Sequence, residues 1–192
     1  MIHSPIGQLA AEKIGAPPDP DLAGLETSPD WRKADFLKSS VLRAALLFHY
    51  ADIGFRAEQF IKQLGESQDR TGLQQLADIA LEMGRPQIAV RLSKQAIGQG
   101  HVLMKSYFPI TNLARIKTRV DPELAMSIAR RESELDQYVI SPAGARGLMQ
   151  VMPGTARKVA GDIGLTYSRD KLTDDWKYNL NSNFEIKPGS KR

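Results

Sequence analysis

Apolar residues recur along most of this chain at the spacing of an α-helix, and no segment alternates apolar and polar residues as a half-buried strand would. Leu37, Val41, Ala44 and Phe48 stand at i, i+4, i+7 and i+11, while Ala57, Phe60, Ile61 and Leu64 stand at i, i+3, i+4 and i+7. The period returns in Leu73, Leu76, Ala77 and Ala80 and, more loosely, in Ile88, Leu92 and Ala96, with Gly54, Gly65, Gly84 and Gly98 as punctuation. The fold class expected is all-α.

Gly54 and Gly84 fall at matching turns 30 residues apart, close to the period of tetratricopeptide-like helical hairpins, so a short α-superhelical region is expected over 34–105. Two such hairpins are fewer than the roughly three that a repeat array needs to bury its faces, so this stretch should lean on the segment C-terminal to it. Upstream, Pro5, Pro17, Pro18, Pro20 and Pro29 prevent a continuous helix and make 1–33 an irregular arm.

Composition narrows the chemistry. The chain has no cysteine, which removes disulfides, thiolate metal sites and cysteine nucleophiles together. With 42% hydrophobic and 25% charged residues among 192, the chain can bury a core. Its most apolar run, Val41 to Ala51, is broken by Arg43 and His49, so no membrane span is expected. The first residues show no apolar run of the signal-peptide kind, and an exported parent would have to supply one upstream. The net charge of +4 permits loose attraction to anionic polymers, but nothing points to nucleic acid. His3, His49 and His101 have no paired spacing, so neither a metal nor a cofactor is expected.

Beyond Tyr107 a short helical stretch is expected around Leu113 to Lys117. Asp121 followed by Pro122 then reads as a cap and a first helical position, opening a helix to about Leu135. Further helical segments are expected from Gly147 and from Pro153 to Gly164. On the helix after Pro122, Ala125, Ile128, Glu132 and Leu135 fall at i, i+3, i+7 and i+10, which sets one carboxylate in an apolar stripe. Two readings are open. Buried there, the carboxyl would lose hydration and its protonated form would be favoured, as a general acid requires. At the margin of the stripe, it would reach solvent and do nothing of the kind.

The neighbouring residues narrow the choice. Ala129-Arg130-Arg131-Glu132-Ser133, then Ser141-Pro142-Ala143-Gly144-Ala145-Arg146-Gly147-Leu148-Met149-Gln150-Val151-Met152-Pro153-Gly154-Thr155-Ala156, closely resembles the catalytic domain of the soluble lytic murein transglycosylases over about Tyr107 to Leu180. The resemblance implies a lysozyme-like helical domain over 106–192 that clasps peptidoglycan. It further implies cleavage of the β-1,4 bond between N-acetylmuramic acid and N-acetylglucosamine without water, leaving a 1,6-anhydro end. Glu132 would be the catalytic acid and base. Ser141 would lie near the acetamido group, and Gln150 and Met152 would line the cleft. The partner implied is the glycan strand, the place the periplasm or cell envelope, and a monomer is expected.

Other groups are set aside. Asp136 lies i+4 from Glu132 and cannot face it across a sugar, so it should end the helix or bond its turn. Gly144 and Gly147 lack the strand and the Lys-Ser/Thr of a phosphate loop. Arg130, Arg131, Arg146, Arg157 and Lys158 read as a solvated face.

Asp175 and Asn179 match a D-P-x-x-N segment of the family, with Trp176 in place of proline, and the pattern then breaks at Ser182 and Asn183 into a polar tail. The domain is therefore expected to be incomplete after about 180, and the chain to be a fragment cut on both sides, with activity impaired by the loss. Two alternatives remain: a helical module that binds glycan or protein without catalysis, and a lysozyme-like hydrolase.

Overall fold

The computed structural model describes residues 13–17, 27–116 and 120–184. Expectations for the rest of the arm, for Lys117 and for the tail beyond Phe184 lie outside them. The chain divides into two compact units, 1–109 and 110–192.

In the first unit, α1 (Ser40–Tyr50), α2 (Gly54–Gly65), α3 (Arg70–Glu82) and α4 (Pro86–Gly98) form two hairpins, followed by a single turn, α5 (Met104–Tyr107). The Ser39 hydroxyl oxygen accepts the Val41 N–H at 3.1 Å, and Asp69 Oδ1 accepts the Gly72 N–H at 2.8 Å, so both first helices of the pairs carry a side-chain cap. Leu73, Leu76, Ala77, Ala80, Ile88, Leu92 and Ala96 are all fully buried, as their spacing predicts. Each large one contributes about 1.5–3 kcal/mol by leaving water.

Two expectations need correction here. Helix α1 begins at Ser40, because 3-10 turns at Trp31–Lys33 and Asp35–Lys38 precede it and Ser39 is extended. Its buried stripe is accordingly Leu42 and Ala45, one step round from the expected Val41 and Ala44, and Leu37 is exposed. The first helices of the two hairpins start 30 residues apart, at Ser40 and Arg70, but the equivalent turns are 32 apart, so Gly84 matches Asp52 and not Gly54. Ile53 N donates to Phe48 O at 2.8 Å, and its counterpart Arg85 N donates to Ala80 O at 2.9 Å. The left-handed residue of the first turn is Asp52 (φ 57°) and that of the second is Gly84 (φ 69°). Arg85 joins the two turns through an ion pair with Asp52 at 3.1 Å. The end of the arm is anchored to α3, where Gln75 Nε2 donates to Pro29 O at 3.2 Å and Trp31 Nε1 to Glu82 Oε1 at 2.9 Å.

The second unit contains a 3-10 turn at Asn112–Arg115, α6 (Pro122–Ser133), α7 (Pro153–Ile163), α8 (Lys171–Asp174) and α9 (Trp176–Phe184). Pro122 and Pro153 each occupy a first-turn position, where the missing N–H costs nothing. Gly164 stops α7 in the left-handed conformation, as expected. Asp121 stands at the cap position of α6 but its side chain makes no capping bond. Asp175 does cap α9, accepting the N–H groups of Lys177 and Tyr178 at 3.0 and 3.1 Å. That helix carries on through Ser182 and Asn183, where the family's sequence pattern breaks; Ser182 is buried and its hydroxyl donates to Tyr178 O at 2.8 Å. Among the described residues there is no strand, only the isolated bridges Ile140 to Arg146 and Arg146 to Val151. The all-α class stands.

Candidate active site

Helix α6 ends because two consecutive non-glycine residues, Glu134 (φ 56°) and Leu135 (φ 68°), turn left-handed. Leu135 is 5% exposed, so burial of its side chain offsets the backbone strain. The buried face of the helix is Ala125, Ala129 and Ser133. Glu132 precedes Ser133 and lies at the edge of that face, exposed to solvent. Of the two readings of its position, the structure takes the marginal one. The carboxylate makes no hydrogen bond or ion pair among the described residues. It stands in the last helical turn, at the negative end of the helix dipole.

From Asp136 to Met152 the chain folds into a tight double-back. Asp136 Oδ1 accepts the Tyr138 N–H at 3.1 Å, bonding its own turn as expected. Gly147 N donates to Val139 O at 2.9 Å, and Arg146 and Val151 exchange two backbone bonds of 3.0 Å each. The segment from Gly147, expected to be helical, is instead a turn closed by Gln150 N to Gly147 O at 3.0 Å. Gln150 itself takes a positive φ of 47°, which favours a turn over helix continuation.

The expected cleft residues have distinct fates. Ser141 Oγ accepts the Ala145 N–H at 3.0 Å, closing the Ser141-to-Ala145 turn, so its hydroxyl proton is what remains to be offered. Gln150 Nε2 donates to Gly147 O at 2.9 Å and to Val139 O at 3.3 Å, which uses both amide protons. Only its Oε1 is left to accept from a ligand hydroxyl. Met152 is 44% exposed at the entry to α7, with its thioether available to cover an apolar ring face. Of the cationic group, Arg131, Arg157 and Lys158 are solvated, and Arg157 lies over the Tyr167 ring at 4.8 Å. Arg130 and Arg146 are half-buried.

The roles of two residues escaped the sequence reading. The Ser133 hydroxyl donates to Leu148 O at 2.7 Å, tying the end of α6 to the Gly147–Gln150 turn. Asn179, with no exposed surface, accepts the Met149 N–H at 2.7 Å and donates to Arg146 O at 2.8 Å and Leu172 O at 2.9 Å. Gly147 is required between them, since a β-carbon there would meet Leu172 O and the Asn179 amide. Their motif letters were visible; their partners, 15 and 30 residues distant, were not.

Comparison with known proteins agrees with this geometry. The family model described as the transglycosylase SLT domain matches residues 110–180. Membrane-bound lytic murein transglycosylase C of Haemophilus influenzae is 30% identical over 127 residues, 57% of this chain and 35% of that protein. The soluble lytic murein transglycosylase of Escherichia coli is 66% identical over 32 residues, 17% of this chain and 5% of its own length. The crystal structure of the 70-kDa soluble lytic transglycosylase from Escherichia coli superimposes with a TM-score of 0.74 at 25% identity, covering 92% of this chain and 29% of that one. The chain thus spans about a third of the length of the first of these relatives. Sequence and fold thus agree that residues 110–180 resemble a transglycosylase SLT domain.

Proposed function

We propose that this domain cleaves the β-1,4 bond between N-acetylmuramic acid and N-acetylglucosamine in peptidoglycan, without water, and that Glu132 is its acid and base. The observation that carries the reading is Glu132 itself, an exposed carboxylate with no partner among the described residues. It sits within the matched segment, next to the residue that ties α6 to the Gly147–Gln150 turn. A group free of structural duties is available to exchange protons with a ligand.

A glycan strand lying over the end of α6 would cover the carboxylate and exclude water from it, which favours the protonated form a general acid needs. Glu132 then gives its proton to the glycosidic oxygen as the bond to the anomeric carbon breaks. The C6 hydroxyl of the same muramic acid residue attacks that carbon, and its proton passes to the Glu132 carboxylate, restoring the acid. The substrate's acetamido group stabilises the positive charge on the anomeric carbon, and the Ser141 hydroxyl orients it. Gln150 Oε1 accepts from a sugar hydroxyl, and Met152 covers a ring face. A second carboxylate is not needed in such substrate-assisted chemistry. We place the helical repeat region, 34–105, outside the reaction, and the protein in the bacterial cell envelope as a monomer.

The test is mass spectrometry of the soluble products after incubating purified peptidoglycan with the chain and, in parallel, with Glu132→Gln. Fragments one water lighter than hydrolytic ones, and absent with the variant, are expected. Products with reducing ends would make the domain a hydrolase. Turnover retained by Glu132→Gln would remove Glu132 from the chemistry, and strand binding without any product would leave a binding module.

A further inference from the structure

The geometry points to Asn179 as a positioning residue for the reaction proposed above, on which this inference rests: it sets the orientation of one peptide group that links α9 to the end of α6 beside Glu132. That group joins Leu148 to Met149. Its N–H donates to Asn179 Oδ1 at 2.7 Å, and its C=O accepts from the Ser133 hydroxyl at 2.7 Å. A peptide group is planar and rigid, with its N–H and C=O pointing in opposite directions. Whatever fixes one end therefore fixes the other, and Ser133 is the residue next to Glu132.

The asparagine is held as firmly as it holds. It has no exposed surface, and both its amide protons are taken, by Arg146 O at 2.8 Å and Leu172 O at 2.9 Å. Reversing the amide would set its NH2 against the Met149 N–H and its oxygen against two carbonyls, so a single orientation is possible. The bond to Arg146 O also holds the residue that enters the turn ending at Gln150, whose Oε1 is the atom left to accept from the proposed substrate's hydroxyls. Loosening Asn179 would thus displace the Glu132 end and the Gln150 end of the site relative to each other. Misplacement of a catalytic group by about 1 Å can cost a hundredfold in rate.

Asn179→Asp keeps the size and the oxygen facing Met149 but presents a second oxygen to the carbonyls of Arg146 and Leu172. Measured on the full chain with purified glycan strands, it is expected to lower kcat per folded molecule at least tenfold with KM changed less than about threefold. A merely structural role would lower the folded fraction, read by far-ultraviolet circular dichroism, and leave kcat per folded molecule at the parent value; that result overturns the proposal. Should Asn179→Asp fail to fold, Ser133→Ala severs the other end of the same peptide link and is expected to show the same loss of kcat at unchanged KM; full kcat in Ser133→Ala overturns it as well. In the parent chain the Met149 amide proton should exchange at least a hundredfold more slowly than an exposed amide, and rapid exchange refutes the geometry. An active parent with unimpaired variants sinks this inference alone. A parent that releases no product, with Met149 protected, sinks the functional reading and the positioning role with it.

Discussion

A β-carbon on Gly147 would stand 1.9 Å from the carbonyl oxygen of Leu172, closer than any two such atoms approach. The same carbon would lie 2.7 Å from Asn179 Nδ2, and the glycine holds a φ of +70°. Gly144 provides the contrast within the same double-back: its φ is +89°, but nothing lies within 4 Å of an added β-carbon.

Gly147→Ala is therefore expected to cost about 3 kcal/mol or more, since a backbone oxygen must move and the strain of a left-handed alanine adds to it. Gly144→Ala should cost only the strain, about 1–2 kcal/mol. Urea unfolding of the two variants beside the parent decides it, and equal losses would contradict the close approach.

Gln150→Glu tests how the turn is closed. The substitution removes both donations from Nε2 and sets a carboxylate oxygen against the carbonyls of Gly147 and Val139. A loss of about 1–3 kcal/mol is expected at neutral pH. At a pH low enough to protonate the new carboxyl, one donor returns and the loss should shrink. Chemical denaturation of parent and variant at both pH values measures the difference, and a loss independent of pH would mean that the side-chain amide donates to neither carbonyl.

Much of this architecture was legible because burial follows helical period: Leu73, Leu76, Ala77 and Ala80 are all in the core, as their spacing predicts. The period fails where a local cap resets the phase, as Ser39 does for α1. It fails again where a residue other than glycine takes a left-handed turn, as Asp52 does. Glu132 shows a different limit. Its spacing fits an apolar stripe within a single residue step, yet in a helix one step is about 100° and separates a buried serine from an exposed carboxylate. The contacts of Ser133 and Asn179 were beyond reach because they join separate elements up to 33 residues apart, and sequence order carries no record of which carbonyl a buried amide will meet.

The ion pair between the two repeat turns should contribute little. The Asp52 side chain is 91% exposed, so its attraction to Arg85 is screened by water. Asp52→Asn keeps a residue that tolerates φ > 0 and is expected to lower stability by less than about 1 kcal/mol, vanishing in ~1 M salt. Asp52→Val, by contrast, should destabilise the unit at any salt concentration, because a branched side chain opposes the left-handed conformation. Thermal midpoints of both variants at low and high salt provide the check.

His49 is expected to give the first unit a dependence on pH. Burial against its neighbours, and then the positive charge of Arg85, hold its imidazole below the ordinary histidine value, while Asp52 acts weakly in the opposite sense. Its Nδ1 is buried with no hydrogen-bond partner among the described residues. As the pH falls through about 6.5, the unfolded chain takes up a proton at this position before the folded chain does. The unfolded state is thereby favoured, so stability should drop between about pH 7 and pH 5, above the range in which ordinary carboxylates titrate. His49→Gln removes the titrating group and should flatten that slope, whatever it does to the absolute stability. The measurement is the thermal midpoint of parent and variant at half-unit steps of pH, and parallel curves across this window would show that His49 is not the group responsible.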